Sequence, residues 1–535
     1  MIIKTALISV SDKTGITDLA KILKKYDVEI ISTGGTKKVL EDAGVEVTDI
    51  SSVTGNPEAF GGRMKTISFN IESALLFDRE KDAEEAAKLG IKPVDLVVCN
   101  LYPFEKVMLQ RKDFDTLIEN IDIGGPTMIR AAAKNFKYVT VITDIADYKD
   151  FTEEIERGGG ATSYEYRKKM MAKAFNHTAD YDAMIAQTMD AQIGKISFRL
   201  NFKNGKKLRY GENSHQKAYF FRMKEAENTY HDMKILHGKE LSFNNILDIS
   251  GAVNAVKDLP KIACAVVKHS NPCGLAQGDN QRDVLEKAWQ GDPVSAFGSI
   301  IAFNTGLNKK TVEFFGLNDK DKSKRKFIEV VIAPRIDKDA LEYLQHHKNL
   351  RVIEYDLTEL PEYKDLRFIN GTLLSQDTDN KLYDKLELVT EQQLDTENNK
   401  DIIEFGLNTV KNIKSNAIAI VRKKAGNYHL MGMGAGQPNR LISTELALSK
   451  AKEFIRQDFK GKEENFEAFY NEEIKDAILI SDAFFPFPDN VELAAANGIK
   501  TIVQPGGSIR DKSVIETCNK LGISMIFTGI RHFKH

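Results

Sequence analysis

The sequence predicts an α/β protein of more than one domain, and three observations carry that prediction. Over residues 1–150, short apolar runs alternate with helix-forming segments, which is the pattern of a parallel sheet covered by helices. At residues 196–216 the pattern changes to a β-like alternation around a Lys-Asn-Gly-Lys turn, which is typical of a new domain. A chain of 535 residues also exceeds what one hydrophobic core usually supports.

The first domain is predicted to span residues 1–195. A helix from Pro126 to about Lys134 suits the sequence, because proline is tolerated in the first helical turn. Other helices are expected after residue 15, before Ala43 and up to about Gln192. Strands are expected at residues 2–10, 28–32, 45–49, 96–99 and 138–142.

The second domain is predicted to span residues 196–535 and to be α/β again. A charged passage at residues 376–401 indicates a connection between two subdomains, at about 196–375 and 376–535. A polar loop, DKDKSKRK, occupies residues 319–326, and no tandem repeat is visible. Core strands are expected at residues 299–304, 329–334, 416–421, 477–481, 501–507 and 523–529.

Composition bounds the partners and the compartment. The net charge of -2 gives no overall field that would attract nucleic acid or an acidic membrane. The four cysteines are far apart and form no CxxC pair, which fits a reducing compartment. The sequence contains no run of about 18 apolar residues, so no membrane span is expected. The first residues lack a signal-peptide layout. We therefore expect a cytoplasmic protein without nucleic-acid or membrane partners.

Lys268 and His269 follow an apolar, strand-like run in the segment VVKHSNPCG. Pro272 and Gly274 are expected to turn the chain directly afterwards, which holds both side chains at a strand end. A histidine has a pKa of roughly 6.5 and a lysine of roughly 10.4, so a neighbouring ammonium disfavours the imidazolium and keeps the imidazole available as a base. The alternative is a structural or solvated pair.

Three segments of the first domain carry groups that bind anions. SVSDKTG (9–15) and STGGTKK (32–38) each join a predicted strand to a helix, and offer hydroxyls, glycine amides and a positive helix end to a phosphate. GGRMKT (61–66) adds a guanidinium at Arg63 and an ammonium at Lys65. The first two fit neither the P-loop nor the dinucleotide pattern. Plain turns and a solvated basic loop are the alternatives.

Residues 120–135, NIDIGGPTMIRAAAKN, combine the carboxylate of Asp122 with a helix that ends in Lys134. The pKa of a buried Asp near a Lys is lowered by the cation and raised by desolvation, which is how acid–base pairs are tuned. Tyr102 in CNLYPF adds a phenolic donor. A structural Asp–Lys ion pair is the alternative.

The segment SDAFFPFPDN at residues 481–490 gathers aromatic side chains after a predicted strand. Phe484, Phe485 and Phe487 surround Pro486, and flat heterocycles dock on such surfaces, with an Asp at 482 or 489 free to hydrogen-bond a ring edge. Packing of a kinked strand end explains the same residues.

The chain ends in TGIRHFKH, where Arg531 and His532 beside Phe533 indicate an anion clamp. A basic, exposed terminus is the alternative. Earlier in the chain, Cys273 in NPCG matches half of the zinc-deaminase signature, but the second thiolate two residues on and an upstream His-x-Glu are both missing. We therefore predict no metal site.

Taken together, these segments resemble the family of bifunctional purine-biosynthesis enzymes that join AICAR transformylase to IMP cyclohydrolase. SVSDKTG, STGGT, GGRMKT, CNLYPF and IDIGGPTMIRAAAKN resemble the cyclohydrolase domain. The remaining matches resemble the transformylase, and they are LRYGENSHQ, SFNNILD, VVKHSNPCG, DPVSAFG, EVVIAP, KSNAIAIV, GMGAGQPNR, SDAFFPFPDN, QPGGSIRD and TGIRHFKH. The resemblance covers essentially the whole chain.

The resemblance implies a methylglyoxal-synthase-like parallel-sheet domain, followed by a transformylase of two cytidine-deaminase-like α/β subdomains without zinc. It implies that the second domain transfers a formyl group from 10-formyltetrahydrofolate to AICAR, and that the first closes the resulting formyl-AICAR to IMP. It also implies a homodimer with transformylase sites across its interface, and catalysis that requires no metal.

Matching the family's motifs residue by residue also implies site residues. The transformylase catalytic positions are Lys268, His269 and Asn416, of which Asn416 would orient the formyl group. The AICAR pocket would comprise Arg209, Tyr210, Asn245, Glu329, Arg531 and Phe533. The folate pocket would comprise Phe484, Pro486, Phe487 and Asp489. The cyclohydrolase catalytic positions are Lys65, Tyr102, Asp122 and Lys134. The nucleotide phosphate and ribose would be held by Ser11, Lys13, Ser32, Gly35, Thr36, Arg63 and Thr66.

The chain departs from the family pattern at a few positions. The family usually continues GGRxKT as Leu-His-Pro, whereas Ile67, Ser68 and Phe69 follow here, and Asn56 stands where a Phe is expected. One imidazole is thereby lost at the cyclohydrolase site. Replacements at 214 (Ser for Pro) and 488 (Pro for Arg) are interpreted as variation. The alternative function is a transformylase only, with the first domain a ligand-binding or dimer-supporting module.

Overall fold

The computed structural model describes residues 1–57, 59–60, 64–224, 226–357 and 360–535, so Arg63 lies outside the described residues. The chain forms two compact units, residues 1–201 and residues 202–535. The division lies close to the change in sequence pattern at residue 196. In the described ranges, no helix combines the length and the apolarity that a membrane span needs.

The first unit is built on a five-stranded parallel sheet, as the alternation of apolar runs and helices predicted. The strand cores are buried on both faces, which explains their continuous apolar sequences. The strands are β1 (Thr5–Ile8), β2 (Glu29–Ser32), β3 (Thr48–Asp49), β4 (Leu96–Val98) and β5 (Thr140–Ile142). Their order is β3-β2-β1-β4-β5, so the chain reverses direction across the sheet between β1 and β4. Such a switch point opens a crevice at the carboxyl ends of the strands.

Helices cover the sheet of the first unit. In α1, buried side chains recur at Ile16, Leu19, Ala20 and Leu23, the three- and four-residue spacing of an amphipathic helix. The helices are α1 (Ile16–Lys24), α2 (Gly34–Asp42), α3 (Ile50–Thr54), α4 (Phe69–Leu76), α5 (Ala83–Lys88), α6 (Phe104–Leu109), α7 (Phe114–Glu119), α8 (Gly124–Lys134), α9 (Tyr148–Arg157) and α10 (Tyr164–Gln192).

The second unit is built on a twelve-stranded mixed sheet, flanked by two small hairpin sheets. The hairpins pair β6 (Phe202–Lys207) with β7 (Tyr219–Met223), and β14 (Asp365–Ile369) with β15 (Thr372–Gln376). The large sheet contains β8 (Lys234–His237), β9 (Ile262–Lys268), β10 (Asn271–Gly278), β11 (Ser299–Phe303), β12 (Ile328–Ala333), β13 (Arg351–Glu354), β16 (Glu387–Leu388), β17 (Ile418–Lys424), β18 (Asn427–Gly434), β19 (Ile478–Ser481), β20 (Thr501–Gln504) and β21 (Ser524–Phe527).

This sheet consists of two halves with the same topology. The first half runs β10-β9-β11-β12-β13-β8 and the second runs β18-β17-β19-β20-β21-β16. They meet where β10 pairs antiparallel with β18. Because that pairing inverts one half, the β9–β10 hairpin and the β17–β18 hairpin have their tips at opposite ends of the sheet. The sequence indicated no tandem repeat, since strand order depends on the pattern of buried positions and not on shared residues.

Helices form layers on both faces of this sheet. α11 and α15 share one face, over a single core that extends through both halves. On the other face each half has its own core, the first under α12 to α14 and the second under α16 to α19. The helices are α11 (Phe243–Val256), α12 (Gln281–Gln290), α13 (Lys309–Val312), α14 (Lys338–Leu344), α15 (Lys400–Lys411), α16 (Arg440–Asp458), α17 (Phe466–Ile474), α18 (Asp489–Ala496) and α19 (Asp511–Leu521).

The turn predicted at Asn-Pro-Cys-Gly is wrong, because those residues begin β10. The chain turns two residues earlier, at His269 and Ser270, which both have positive φ (51° and 60°) in a two-residue hairpin loop. A register irregularity between Pro272 and Gly274 accommodates the proline within the sheet. A Cβ at Gly274 would collide with the carbonyl of Ala288 on α12, so glycine permits close packing of that helix. The predicted turn at residues 203–206 is likewise part of a strand, β6.

Candidate active sites

The first candidate site lies at the crevice between the carboxyl ends of β1, β2 and β4. The Thr36 hydroxyl donates to the carbonyl of Val10 (3.0 Å), which ties the start of α2 to the loop after β1. Asn100, directly after β4, accepts from the amides of Ser11 (2.6 Å) and Asp12 (2.9 Å). Asn100 is not among the residues predicted from the sequence, although a polar residue directly after an apolar strand is a usable signal.

Two ammonium groups stand over the first turn of α2. A Cβ on Gly35 would lie 3.8 Å from Lys13 Nζ, and a Cβ on Gly34 would lie 3.9 Å from Lys65 Nζ. No side chain caps this helix, so its first amides remain available. Free amides, a positive helix end and two cations form a site suited to a phosphate. The hydroxyl of Ser32, by contrast, is fully buried and donates to the carbonyl of Ile8 (2.7 Å).

Asp122 lies beside this crevice, just before α8. One carboxylate oxygen accepts from the amide of Gly125 (2.8 Å) and the other from the amide of Tyr102 (3.4 Å). Burial raises the pKa of Asp122, while the two amides and the charge of Lys65 act in the opposite direction. A carboxyl group with a raised pKa next to an ammonium is equipped for proton transfer.

The segment after the undescribed residues 61–63 packs against the start of α8. Thr66 is buried, and a Cβ on Gly124 would collide with its hydroxyl. Lys65, Thr66, Tyr102 and Asp122 are therefore brought together.

The structure does not pair Asp122 with Lys134. Lys134 is the last residue of α8, is exposed, and lies across a helix of eleven residues, about 16 Å long. The cation whose charge reaches Asp122 is Lys65. Asp122 and Lys134 are close in sequence, but the length of α8 separates them. Lys65 comes from a loop that is distant in sequence, yet it lies near the end of α8 where Asp122 is.

The departure from the family pattern at Ser68 has a local structural role. Ser68 is the N-cap of α4, and its hydroxyl accepts from the amide of Ile71 (3.2 Å). Phe69 is 65% exposed. Where the resemblance predicts an imidazole, this chain has a helix cap.

The second candidate site lies at the end of the large sheet where the β9–β10 hairpin has its tip. Lys268 Nζ donates to the carbonyls of Phe297 (2.7 Å) and Gly298 (3.2 Å), which fixes the ammonium at the start of β11. The next residue, His269, is exposed at the tip. Ser270 anchors the loop, since its amide donates to Asp248 on α11 (2.7 Å).

Asn416, just before β17, is brought to the same end of the sheet. Its Oδ1 accepts from Arg440 (2.7 Å), and its Nδ2 donates to the carbonyls of Gln437 (2.8 Å) and Pro438 (3.1 Å). Both amide hydrogens are therefore used within the protein, and one Oδ1 lone pair remains. Asn271 links this region to the β9–β10 hairpin, because its Oδ1 accepts from the amide at residue 414 (3.0 Å).

A buried ion pair between Arg440 and Asp482 holds the side chain of Asn416 in place. Arg440 bonds both Asp482 and the hydroxyl of Ser481, and Asp482 also bonds Ser415, next to Asn416. The Asp482 side chain is fully buried. Arg440 is not among the residues predicted from the sequence. Asp482 was predicted as a possible ligand contact, and its full burial contradicts that prediction.

The aromatic segment after β19 is divided between the core and the surface. Phe485 is fully buried and belongs to the core, whereas Phe484 and Phe487 are 37% and 47% exposed. Pro486 lies between them and is half-buried. Asp489 begins α18, where it accepts from the amide of its neighbour (2.8 Å).

The C-terminal segment is fixed in place. The amide at residue 415 donates to the carbonyl of Lys534 (2.9 Å), which joins the chain end to the segment that precedes Asn416. Arg531 stacks its guanidinium 4.5 Å from the ring of Phe533. His532 does not join them in a clamp, because it is buried and bonded to Asp379 (2.8 Å).

The remaining predicted AICAR contacts are distributed around this end. Glu329, at the start of β12, pairs with Arg351 (2.6 Å). Asn245 is buried in the capping box of α11. Arg209 and Tyr210 lie in the β6–β7 connection, which reaches α11 where the side chain of residue 244 donates to the carbonyl of residue 212 (3.2 Å).

Among the described residues, no group of three or more His, Cys, Asp or Glu side chains is arranged to hold a metal. Cys273 is buried, and its thiol lies 3.3 Å from the carbonyl of Val266 as a hydrogen-bond donor. The arrangement as a whole defines an α/β enzyme with two separate sites. One suits a phosphate and proton transfer, and the other places an imidazole, an ammonium and an oriented amide at one sheet end.

Comparison with known proteins identifies the family. A family model described as AICARFT/IMPCHase bienzyme matches residues 132–450, and one described as MGS-like domain matches residues 15–127. The bifunctional purine biosynthesis protein PurH of Persephonella marina is 42% identical over 543 residues, covering 99% of this chain and 100% of that protein. PurH of Fusobacterium nucleatum is 44% identical, with 99% of this chain and 100% of that protein covered. PurH of Clostridium botulinum is 44% identical, with both chains fully covered.

This chain belongs to the AICARFT/IMPCHase bienzyme family. It is a bifunctional enzyme of purine biosynthesis, with formyltransferase and IMP cyclohydrolase activities. The predicted family and the methylglyoxal-synthase-like fold of the first domain are confirmed. The full-length match favours the two-step function over a transformylase alone.

Proposed function

We propose that residues 196–535 transfer the formyl group of 10-formyltetrahydrofolate to AICAR, and that residues 1–195 close formyl-AICAR to IMP. The observation that carries the first assignment is the tip of the β9–β10 hairpin, where His269 is exposed in a left-handed loop beside the fixed ammonium of Lys268. Positive φ is the ordinary backbone of a two-residue hairpin loop, so the feature that supports the assignment is the exposed imidazole beside the ammonium and not the loop shape.

Formyl transfer needs a base and an acid at one small centre. The AICAR amine attacks the formyl carbon, and His269 takes the proton that the amine loses. Tetrahydrofolate leaves after its nitrogen gains a proton. Lys268 has three N–H donors, two of which are used by carbonyls, and the third is free to face the formyl oxygen or the departing nitrogen.

Asn416 contributes through its position. Since both of its amide hydrogens are already used, its Oδ1 is left to accept from the attacking amine of AICAR, and the side chain orients the formyl group by shaping the pocket. Exposed Phe484 and Phe487, with Pro486 and Asp489, would hold the folate ring. The AICAR would contact Arg209, Tyr210, Asn245, Glu329, Arg531 and Phe533.

Ring closure needs a different arrangement. The carboxamide nitrogen attacks the formyl carbon, and the formyl oxygen leaves as water after gaining protons. Asp122, with its raised pKa, and Lys65 would exchange those protons, with Tyr102 alongside. Lys134 stays a predicted contributor. The phosphate would bind over the first turn of α2, between Lys13 and Lys65. The other expected contacts of the phosphate and ribose are Ser11, Ser32, Gly35, Thr36 and Thr66. Arg63 is assigned to the phosphate by the family pattern.

We further propose a cytoplasmic homodimer with transformylase sites across its interface. Four buried free thiols suit a reducing compartment. Several apolar side chains at the active end of the large sheet are exposed in the single chain, among them Phe297 and Phe533. Light scattering coupled to gel filtration tests the dimer, and a monomer with full activity would contradict it.

The central experiment mixes the purified protein with AICAR and 10-formyltetrahydrofolate and separates the products over time. We expect IMP with little intermediate. Accumulation of formyl-AICAR would favour a transformylase with a cyclohydrolase weakened at Ser68, and adding formyl-AICAR directly would then test ring closure alone. No turnover would contradict the role of His269.

A further inference from the structure

Tyr181, on α10, is buried and is not among the residues predicted from the sequence. Its hydroxyl accepts from the amide of Asp122 (2.9 Å) and donates to the carbonyl of Asn120 (3.3 Å). A phenol can make both bonds at once, because its oxygen donates one hydrogen bond and also accepts. One hydroxyl therefore ties α10 to the loop between α7 and α8, which carries the carboxyl proposed for proton transfer.

The ring of Tyr181 contacts the other segment of the same site. It meets the ring of Phe104 edge to face, with the ring centroids 6.3 Å apart. Phe104 is fully buried at the start of α6, and its amide donates to the carbonyl of Tyr102 (2.8 Å). The amide of Tyr102 in turn donates to the carboxylate of Asp122. Tyr181 therefore touches both chain segments that hold this carboxylate.

The hydroxyl of Tyr181 is suited to a fixed role and not to proton transfer. Burial raises the pKa of Tyr181 to about 12. The acidic groups of Asp122, Asp182 and Tyr102 act in the same direction. The phenol therefore stays protonated through the neutral range and keeps donating to the carbonyl of Asn120. Because both of its bonds go to backbone groups, the hydroxyl acts on the position of the loop.

We infer that Tyr181 is a positioning residue for ring closure, and that it holds the carboxyl of Asp122 in its reacting place. The inference rests on the proposed catalytic role of Asp122. Without the hydroxyl, the amide of Asp122 and the carbonyl of Asn120 lose their shared partner, and the loop loses its tie to α10. A misplacement of about 1 Å can cost about 10²-fold in rate, so a small shift of the loop is measurable.

The first measurement is ring closure of added formyl-AICAR by Tyr181→Phe, which keeps the ring and removes only the hydroxyl. We expect kcat to fall about tenfold, because the carboxyl is less well placed in the transition state. KM should stay within about twofold of wild type, because the phosphate is expected over α2 and not at this loop. A wild-type kcat in Tyr181→Phe would overturn the inference.

The pH profile gives a second readout, which loss of rigidity elsewhere would not move. The amides of Gly125 and Tyr102 lower the pKa of Asp122, so loosening the carboxyl from them should raise that pKa. The limb of the kcat profile that belongs to Asp122 should therefore move to higher pH in Tyr181→Phe. The other groups whose charges couple to this carboxyl, Lys65 and Cys99, are the same in both proteins. A fall in kcat with an unmoved limb would contradict the inference.

Tyr166→Phe is the matched control. Tyr166 lies on the same helix, about 22 Å away along its axis. Its hydroxyl is buried and has no hydrogen-bond partner among the residues that the structure describes. This variant removes the same group from α10 and should keep kcat, KM and the pH profile. An equal loss in Tyr166→Phe would indicate a general effect of the helix and would overturn the inference.

A double-variant cycle separates positioning from structural support. If Tyr181 acts through Asp122, adding Tyr181→Phe to Asp122→Asn should lower the residual kcat by less than about twofold. A loss of about tenfold in both backgrounds would overturn the inference, because independent effects multiply. Near-wild-type ring closure by Asp122→Asn is a different result, which would refute the proposed catalytic role of Asp122 itself. Calorimetric titration with IMP should show a folded site in every variant, and a Tyr181→Phe protein that no longer binds IMP would also overturn the inference.

Discussion

The two ends of the twelve-stranded sheet have the same construction but different side chains. At one end the tip of the β9–β10 hairpin meets the start of β17, and at the other the tip of the β17–β18 hairpin meets the start of β9. Both hairpins have a two-residue loop with positive φ between a Lys and an Asn. The loop is His269-Ser270 at the first end and Ala425-Gly426 at the second. The shared loop shape follows from the fold, whereas the imidazole does not.

A pair of polar residues lies behind each hairpin tip, and we call this pair the polar corner. The two polar corners differ in their side chains. The first residue of the helix after each hairpin is Gln281 in one half and Arg440 in the other. The residue directly after the third strand is Asn304 or Asp482. The corner of Gln281 and Asn304 is neutral and satisfied by backbone and hydroxyl partners. The corner of Arg440 and Asp482 is charged and holds Asn416. The fold therefore needs a polar corner, and only the proposed active end has a charged one.

The largest expected effect comes from removing the imidazole. His269→Ala should lower transformylase kcat by about 10²- to 10⁴-fold, because general base catalysis is lost. Ala425→His, at the other tip, should change neither activity. The initial rate of formyl transfer checks this, and ring closure of added formyl-AICAR is the internal control. A comparable loss in both variants would mean that the two tips are equivalent.

The second effect converts the charged corner into a copy of the neutral one. Arg440→Gln leaves Asp482 buried without its cation, and should lower the free energy of unfolding by about 3–5 kcal/mol. Adding Asp482→Asn should restore most of that stability without restoring formyl transfer, since Asn416 still lacks its guanidinium. Urea unfolding and rate measurements on both variants check this. A double variant with full activity would show that the charges are only structural.

The fold left a clearer local record in the sequence than the contacts of the two sites did. Apolar runs predicted the parallel sheet, because burial on both faces leaves a local record. The hairpin tip was misplaced, since Pro272 and Gly274 indicate a turn more strongly than His269 does. Asn100, Asn271 and Arg440 were missed because their partners lie far away in sequence. Motifs predicted candidate reacting groups, but the contacts that hold those side chains depend on tertiary pairing.

The third effect contrasts the half-buried carboxyl of Asp122 with the fully buried carboxyl of Asp482. The pKa of Asp122 is raised, chiefly by burial, so its contribution to stability is present below the unfolded pKa of roughly 3.9 and is lost as the pH rises through the folded pKa. Asp122→Asn should therefore gain stability relative to wild type between about pH 4 and neutrality, while cyclohydrolase activity falls by about 10²-fold or more. Asp482→Asn should lose stability at neutral pH, because it weakens a bonded ion pair. Urea unfolding at about pH 4 and at neutral pH distinguishes the stability gain of Asp122→Asn from the stability loss of Asp482→Asn. A difference between Asp122→Asn and wild type that does not change with pH would contradict the prediction for Asp122.

The smallest expected effect concerns the lysines that precede the two tips. Lys424 is 49% exposed and pairs with Glu473, which also bonds Arg422, so Lys424→Gln leaves that carboxylate paired. It should cost less than about 1 kcal/mol of unfolding free energy and no activity. Lys268 contacts only backbone carbonyls, so its ammonium is held without a compensating carboxylate and stays available to the substrate. Lys268→Gln should therefore impair formyl transfer with little change in stability. Similar activities in the two variants would mean that the fixed ammonium at the active end supports only the hairpin, and that the imidazole alone distinguishes the two ends.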